Sequence, residues 1–325
     1  MKFQRRRFLR LAAVAAALPA VSRIAWAQTY PSHPVRLIVG FSVGSLPDIT
    51  ARLMGQWISE RLGQPFVIEN RPGAGGNIAT ETVIRSAPDG YTLLLVVTSN
   101  ATNATLYDKL NFDFIRDIAP VASFFQTPSV MVVHPSVPAK TIPEFIAYAK
   151  ANPGKLNMAS PGNGTEPHLS GELFKMMAGV DMVHVPYRGG AEVMTDLIAG
   201  HVQVSFIAPT LANEHIKAGK LHALAITSET RSHVLPDMPT VAEFVPGYES
   251  RIWNGIGAPA GTPPGIIEKL NNEINAILAN PKTSVRFAEM GGTVVAGSPA
   301  DFSKLIADET EKRGKVVKLT GMKRN

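Results

Sequence analysis

The chain has 325 residues, of which 45% are hydrophobic and 18% charged, and it contains no cysteine. That length supplies one large domain or two ordinary ones, and the missing cysteines exclude a disulfide framework and a lipid-attachment site. The formal charge of +6 belongs to the beginning: six of the 32 Lys and Arg, and none of the 26 acids, lie in residues 1–27. The remainder is neutral and lacks the broad basic surface that nucleic acid requires.

Residues 1–27 read as an export leader. Arg5, Arg6 and Arg7 form a basic start, an apolar run covers 11–21, and Ala25-Trp26-Ala27 gives a cleavage site before Gln28. Residues 5–10 also fit the twin-arginine pattern. The apolar run is about half the length that spans a bilayer, so it is an address and not an anchor. No second stretch is long and apolar enough to cross a membrane.

After the leader, strands and helices alternate. A short apolar run at 35–41 predicts a buried strand, and helical spacing of Ile49, Leu53, Trp57, Ile58 and Leu62 predicts a helix over 48–62. A strand at 66–69, a helix at 78–86 and an almost wholly apolar strand at 91–98 complete a βαβαβ unit, the rhythm of a parallel sheet. The pattern restarts with a strand at 129–134 and a helix opened by Thr141 and Pro143. Strands at 156–160, 182–186, 202–207 and 221–227 then alternate with helices at 166–178, 192–199 and 211–218. Residues 231–249 hold three prolines and read as loop. A strand returns at 255–258, followed by helices at 264–278 and 299–313. Two α/β units with a late return predict two lobes, 28–127 with 257–325, and 128–256, each a mostly parallel sheet flanked by helices.

Gly40-Phe41-Ser42-Val43-Gly44 matches the G-x-S-x-G nucleophile elbow between a strand and a helix. Only fourteen residues after the leader, Gln28 to Phe41, precede Ser42, however, too few for the earlier strands an α/β-hydrolase needs. Anion capture suits the loop better. It points backbone N–H groups into a crevice at the strand ends, with Ser42 and Ser45 adding hydroxyls and Gly44 allowing close approach. Asp48 has two readings, helix cap and ligand contact. Residues 72–77 follow a strand and open a helix, but Ile78 stands where a dinucleotide loop needs its third glycine. They read as a tight turn near the cleft. Ser160 and Gly162-Asn163-Gly164-Thr165 repeat the anion-capturing device, with Thr165 as a helix cap and His168 in the helix's first turn. Arg188, after a strand, has the chemistry for a ligand carboxylate and equally for solvent. The eight histidines are scattered without a metal-binding spacing, and no cofactor is expected.

Seven phrases carry a family resemblance: Glu69-Asn-Arg-Pro-Gly-Ala-Gly-Gly-Asn77, Pro88-Asp-Gly-Tyr-Thr92, Asn152-Pro-Gly-Lys-Leu156, Gly162-Asn-Gly164 with His168-Leu-Ser-Gly-Glu172, Val183-His-Val-Pro-Tyr-Arg-Gly189, Leu235-Pro-Asp-Met-Pro-Thr-Val-Ala-Glu243 and Ala258-Pro-Ala-Gly-Thr-Pro263. In this order, over nearly the whole chain after the leader, the sequence resembles the tripartite tricarboxylate transporter substrate-binding proteins, the TctC or Bug family. The resemblance implies a non-enzymatic, two-lobed periplasmic binding protein of the flytrap type (type II). It implies a monomer that takes a small carboxylate and hands it to a two-subunit membrane permease. It places the ligand between the loop Phe41, Ser42, Gly44, Ser45, Asp48 and the loop Ser160, Gly162, Asn163, Gly164, Thr165, with His168 beside the latter and waters bridging to the first loop. Gly40 and Ser45 depart from the family's usual Pro-Phe-x-x-Gly-Gly-x-x-Asp, which bears on ligand identity. A secreted esterase using Ser42, and a ligand-loaded partner of a membrane sensor, are the competing expectations.

Overall fold

The computed structural model describes residues 30–322 except 234. The expected leader lies outside the described residues. Among them no helix is long and apolar enough to cross a membrane.

Two sheets organise the chain. The first takes β1 (Val35–Val39), β2 (Phe66–Asn70), β3 (Thr92–Val97), β4 (Ile118–Thr127), β10 (Ile252–Pro259) and β11 (Thr293–Val294) in the order β11-β4-β10-β3-β1-β2. The second takes β5 (Val130–Val133), β6 (Asn157–Ser160), β7 (Val183–Pro186), β8 (Val204–Ile207) and β9 (His222–Ile226) in the order β7-β6-β8-β5-β9. The plan repeats: three parallel strands, one antiparallel strand brought in by a crossing, then one more, with β11 added at the edge of the first sheet. In the first sheet that antiparallel strand is β10, seated between β3 and β4, and in the second it is β5. This is the two-lobed α/β architecture expected from the sequence.

Helices cover both faces. α1 (Leu46–Leu62), α2 (Asn77–Ile84), α3 (Thr98–Leu106), the single turn α4 (Phe114–Asp117), α9 (Pro264–Leu278), α10 (Pro281–Glu289) and α11 (Pro299–Thr320) accompany the first sheet. α5 (Ile142–Ala151), α6 (Glu166–Ala178), α7 (Gly190–Ala199) and α8 (Pro209–Lys217) accompany the second. Strand alternation sorts the second core: Met131 and Val133 pack with Phe145, Phe174, Phe206 and Tyr248, while Val130 and Val132 pack with Val193, Leu197 and Ile207. In the first lobe Ile38, Leu94, Val96, Trp253 and Phe302 form one cluster. Gly255 of β10 leaves no room for a Cβ against the Phe302 ring.

The chain crosses between sheets at residues 128–129 and again through 227–251. The crossings are laced together. Ser129 N–H donates to Thr227 Oγ1 at 2.8 Å, Thr227 N–H to Ser129 O at 2.9 Å, and Thr227 Oγ1 to Ser250 O at 2.8 Å. α11 continues seven residues past the expected end at 313. Its Val317 reaches Leu106 and Leu169, bridging α3 of the first lobe and α6 of the second. α3, β4, α10 and β11 have no counterpart among the sequence expectations.

Candidate functional site

Two adjoining cavities lie between the lobes and share Phe41 and Pro161. The larger, about 590 Å³, is lined by Ser42, residues 72–76, Tyr107, Gly162, Asn163, Tyr187, Arg188 and Glu192. The smaller, about 80 Å³, is surrounded by the first residues of five helices: Ser45 and Leu46 of α1, Thr98 of α3, Thr165 and Glu166 of α6, Gly190 of α7, and Ala208 at the start of α8. Each helix start carries unsatisfied N–H groups and roughly half a positive charge, so both lobes present an anion-attracting surface to one space.

The first loop is built by Ser45 and Asp48. Ser45 is the N-cap of α1, and its Oγ accepts from Asp48 N–H at 3.4 Å. Asp48 is therefore not the cap, and it lines neither cavity. Its carboxylate accepts from Gly44 N–H at 2.9 Å, Asn70 Nδ2 at 2.9 Å and Arg52 Nε at 3.0 Å. Asn70 Nδ2 also donates to Phe41 O at 2.9 Å, so one buried acid braces the loop from Phe41 to Gly44. Burial pushes the Asp48 carboxyl up, but the bonds from Arg52, Gly44 and Asn70 outweigh that and hold it below its ordinary value. Gly44 has φ +80°, where a side chain would be strained. Ser42 Oγ faces Gly189 across the cleft. Among the described residues no histidine or carboxylate is hydrogen-bonded to it, so the elbow motif has no base in place.

The second loop is held from behind by two histidines. Ser160 Oγ donates to Gly162 O at 3.1 Å, accepts from Gly162 N–H at 3.3 Å and lies 2.7 Å from His184 Nε2. Gly164 N–H donates to His168 Nδ1 at 3.2 Å, and the His168 and His184 rings stack 3.7 Å apart. The N–H groups of Gly162 and Gly164, expected to be free, are thus engaged inside the loop. The main-chain N–H of Asn163 has no hydrogen-bond partner among the described residues, and Asn163 lines the larger cavity. Burial, then His184 and Lys175, lower His168 to about 3, and burial then Lys175 lower His184 to about 4, so the stack is neutral. Thr165 sits at the N-cap position of α6 but makes no cap bond; its Oγ1 donates to Gly162 O at 2.7 Å.

Of the expected site residues, Phe41, Ser42, Ser45, Gly162, Asn163 and Thr165 line the cavities, while Gly44, Asp48, Ser160, Gly164 and His168 shape the loops behind them. The sequence missed Thr98, Ser99, Glu166 and Asn254, which also line the smaller cavity. Glu166 is buried and accepts from Ser129 Oγ at 2.7 Å and Ser170 Oγ at 2.5 Å, tying the cleft floor to the first crossing. The lobes touch at Gly164, where a Cβ would come within 2.5 Å of Asn103 Oδ1 and 2.8 Å of Leu106 Cδ2. Among the described residues no cluster of three or more His, Asp or Glu is placed to hold a metal ion.

Residues 50–322 match the model of the TctC family, described as the tripartite tricarboxylate transporter family receptor. The chain is 37% identical over 300 residues to protein BugT of Bordetella pertussis, spanning 91% of this chain and 92% of that one. Among solved structures, an R. palustris protein with adipate is 36% identical with a TM-score of 0.87, covering 90% of this chain and 99% of that one. MatC of Rhodopseudomonas palustris with bound malate is 31% identical with a TM-score of 0.83, covering 89% and 100%. The periplasmic binding protein BugD is 32% identical with a TM-score of 0.85, covering 91% and 100%.

Proposed function

Because the chain belongs to the TctC (Bug) receptor family of periplasmic solute-binding proteins, we propose that it captures a small carboxylate between its lobes and delivers it to the two-subunit permease of a tripartite transporter. The observation that carries this reading is the convergence of five helix starts, from both lobes, on one cleft. Backbone N–H groups and hydroxyls there match a carboxylate's acceptors without any cofactor or nucleophile. Relatives solved with adipate and with malate support the same ligand class.

In this reading Phe41, Ser42, Ser45, Gly162, Asn163 and Thr165 touch the ligand. Gly44, Asp48, Ser160, Gly164 and His168 hold the two loops in place. Residues 1–27 export the chain and are removed after Ala27, and the mature protein acts as a monomer in the periplasm. The lobes, expected as 28–127 with 257–325 and as 128–256, are drawn with their second boundary moved to 252, because β10 from Ile252 pairs in the first sheet. Ligand contacts made by both lobes favour the closed arrangement by as much as they differ between closed and open.

The test is a thermal-shift screen of residues 28–325 against mono-, di- and tricarboxylates, each beside its uncharged amide. A ligand at a hundredfold excess over its dissociation constant adds about 3 kcal/mol of stability. Melting shifts confined to the acids are expected. Equal shifts with the amides, or none with any acid, would overturn the reading.

A further inference from the structure

One arginine on the wall of the larger cavity has no partner. Eleven arginines lie among the described residues, and ten of them are ion-paired with Asp or Glu. Arg188 is the exception. Among the described residues its guanidinium makes neither an ion pair nor a hydrogen bond, and the residue is exposed and lines the cavity of about 590 Å³.

The backbone that carries this free cation is anchored on both sides. Before it, Tyr187 N–H donates to Ser160 O at 2.8 Å and the Tyr187 hydroxyl to Asp196 Oδ2 at 2.6 Å. Arg188's own N–H donates to Glu192 Oε2 at 2.9 Å, which ties it to the first turn of α7. Only the side chain is left unengaged. A guanidinium offers a planar fork of N–H donors that matches a carboxylate with two parallel bonds. Ser42 of the first lobe lines the same cavity and adds a hydroxyl.

The smaller cavity, where the helix starts converge, holds about 80 Å³, well below the roughly 300–1,000 Å³ of an ordinary ligand pocket. A ligand with one acid group there continues into the larger cavity, which adjoins it at Phe41 and Pro161. We propose that Arg188 is a specificity residue that reads a second acid group, so that the preferred ligands are dicarboxylates extending through both cavities. The inference rests on the carboxylate reading above and narrows it. An uncharged tail leaves the guanidinium to water, whereas a second carboxylate exchanges that water for a charge-assisted fork. Glu192 on the same wall would draw an ammonium instead, so an amino acid with a terminal ammonium is the discriminating control.

Diacids paired with their monoamides test it, because the pair differs in charge and hardly in size: succinate and succinamate, glutarate and glutaramate, adipate and adipamate, with 5-aminopentanoate as the control. Titration calorimetry on residues 28–325 should show at least one diacid binding roughly tenfold or more tightly than its monoamide. That gap should narrow in high salt, since Arg188 is exposed. Arg188→Gln should cut it below about threefold, and Arg188→Glu should reverse the order of glutarate and 5-aminopentanoate. Monoamides that match their diacids, a gap that survives in Arg188→Gln, or 5-aminopentanoate equalling glutarate in the wild type would each overturn the inference and leave the carboxylate reading standing. If no acid binds at all, both fall. Should either variant fail to fold, the wild-type pairs and their salt dependence decide alone, since equal affinity within every pair refutes the role of Arg188.

Discussion

Replacing Gly164 with alanine should separate lobe closure from folding. Gly164 has φ +78°, which costs an L residue about 1–2 kcal/mol whether the lobes are together or apart. The new methyl carbon would also stand 2.5 Å from Asn103 Oδ1 and 2.8 Å from Leu106 Cδ2, both on α3 of the opposite lobe. Asn103 cannot swing aside cheaply, because its Nδ2 donates to Gly75 O at 3.0 Å and Asn77 Oδ1 at 2.9 Å. Overpacking of this kind costs about 1–3 kcal/mol, and here only the closed arrangement bears it. The affinity of the tightest acid in the panel should fall roughly 5- to 150-fold, while the ligand-free melting temperature drops by about 2–6 °C. Gly63→Ala is the control, because it carries the same left-handed strain at φ +69° with nothing within 4 Å of its Cβ. Calorimetric titration and scanning calorimetry on both variants make the comparison. Unchanged affinity in Gly164→Ala, or an equal loss in Gly63→Ala, would refute the closure argument.

Asp48→Asn should destabilise the protein by about 1–3 kcal/mol at pH 7, read by urea unfolding, because a charged acceptor bracing the first loop is removed. Since the Asp48 carboxyl is held below 3.8 in the fold, its contribution is present above that value and is lost as pH falls through the folded pKa. The gap between wild type and variant should therefore close below about pH 4, and a constant gap would contradict the assignment. The His168 ring is neutral in the fold, at about 3, but charges near 6.5 when unfolded. Stability is thus full above pH 6.5 and declines as pH drops toward 3. At 1.36 kcal/mol per pH unit this one ring contributes about 2 kcal/mol of loss by pH 5, and His168→Gln should flatten the slope of urea midpoint against pH. Parallel curves would exclude it. Tyr248→Phe deletes a fully buried hydroxyl that donates to Ser170 O at 2.9 Å. About 1 kcal/mol should be lost in urea unfolding, and an unchanged midpoint would show the bond to be neutral.

Elements with punctuation were legible in the sequence. α6 runs over the expected 166–178 because Pro167 suits its first turn and Gly179 ends it in the left-handed region, at φ +64°. α3 was not legible, because five of its seven buried positions are Thr98, Ser99, Asn100, Thr102 and Asn103, and Ala101 and Leu106 alone make no apolar stripe. Those side chains are satisfied tertiarily: Asn100 Nδ2 donates to Thr80 Oγ1 and Ser99 Oγ to Gly75 O, both at 2.9 Å. Partners so far along the chain leave no local period. The same limit governs the site. Glycines with positive φ and flanking serines marked the loops at 40–48 and 160–165, because turn chemistry is local. Asn254 acquires meaning only beside Thr50, 204 residues away. Asp48 offered cap or contact in sequence, and its role as a brace depended on Asn70 and Arg52.

The seating of β10 fixes an order of events during synthesis. β3 and β4 flank a gap that only residues 252–259 fill, so a nascent chain lacking them carries two open strand edges in its first half. The second sheet draws all five of its strands from residues 130–226 and can be completed earlier. The inserted half is thus poised to assemble before the half that begins the chain, whose last pairing waits on a contact of long sequence separation. A chain cut short of residue 252 would keep one finished sheet and one aggregation-prone remnant. A carrier exported in the folded state would therefore have to be synthesised almost to its end before it could be moved.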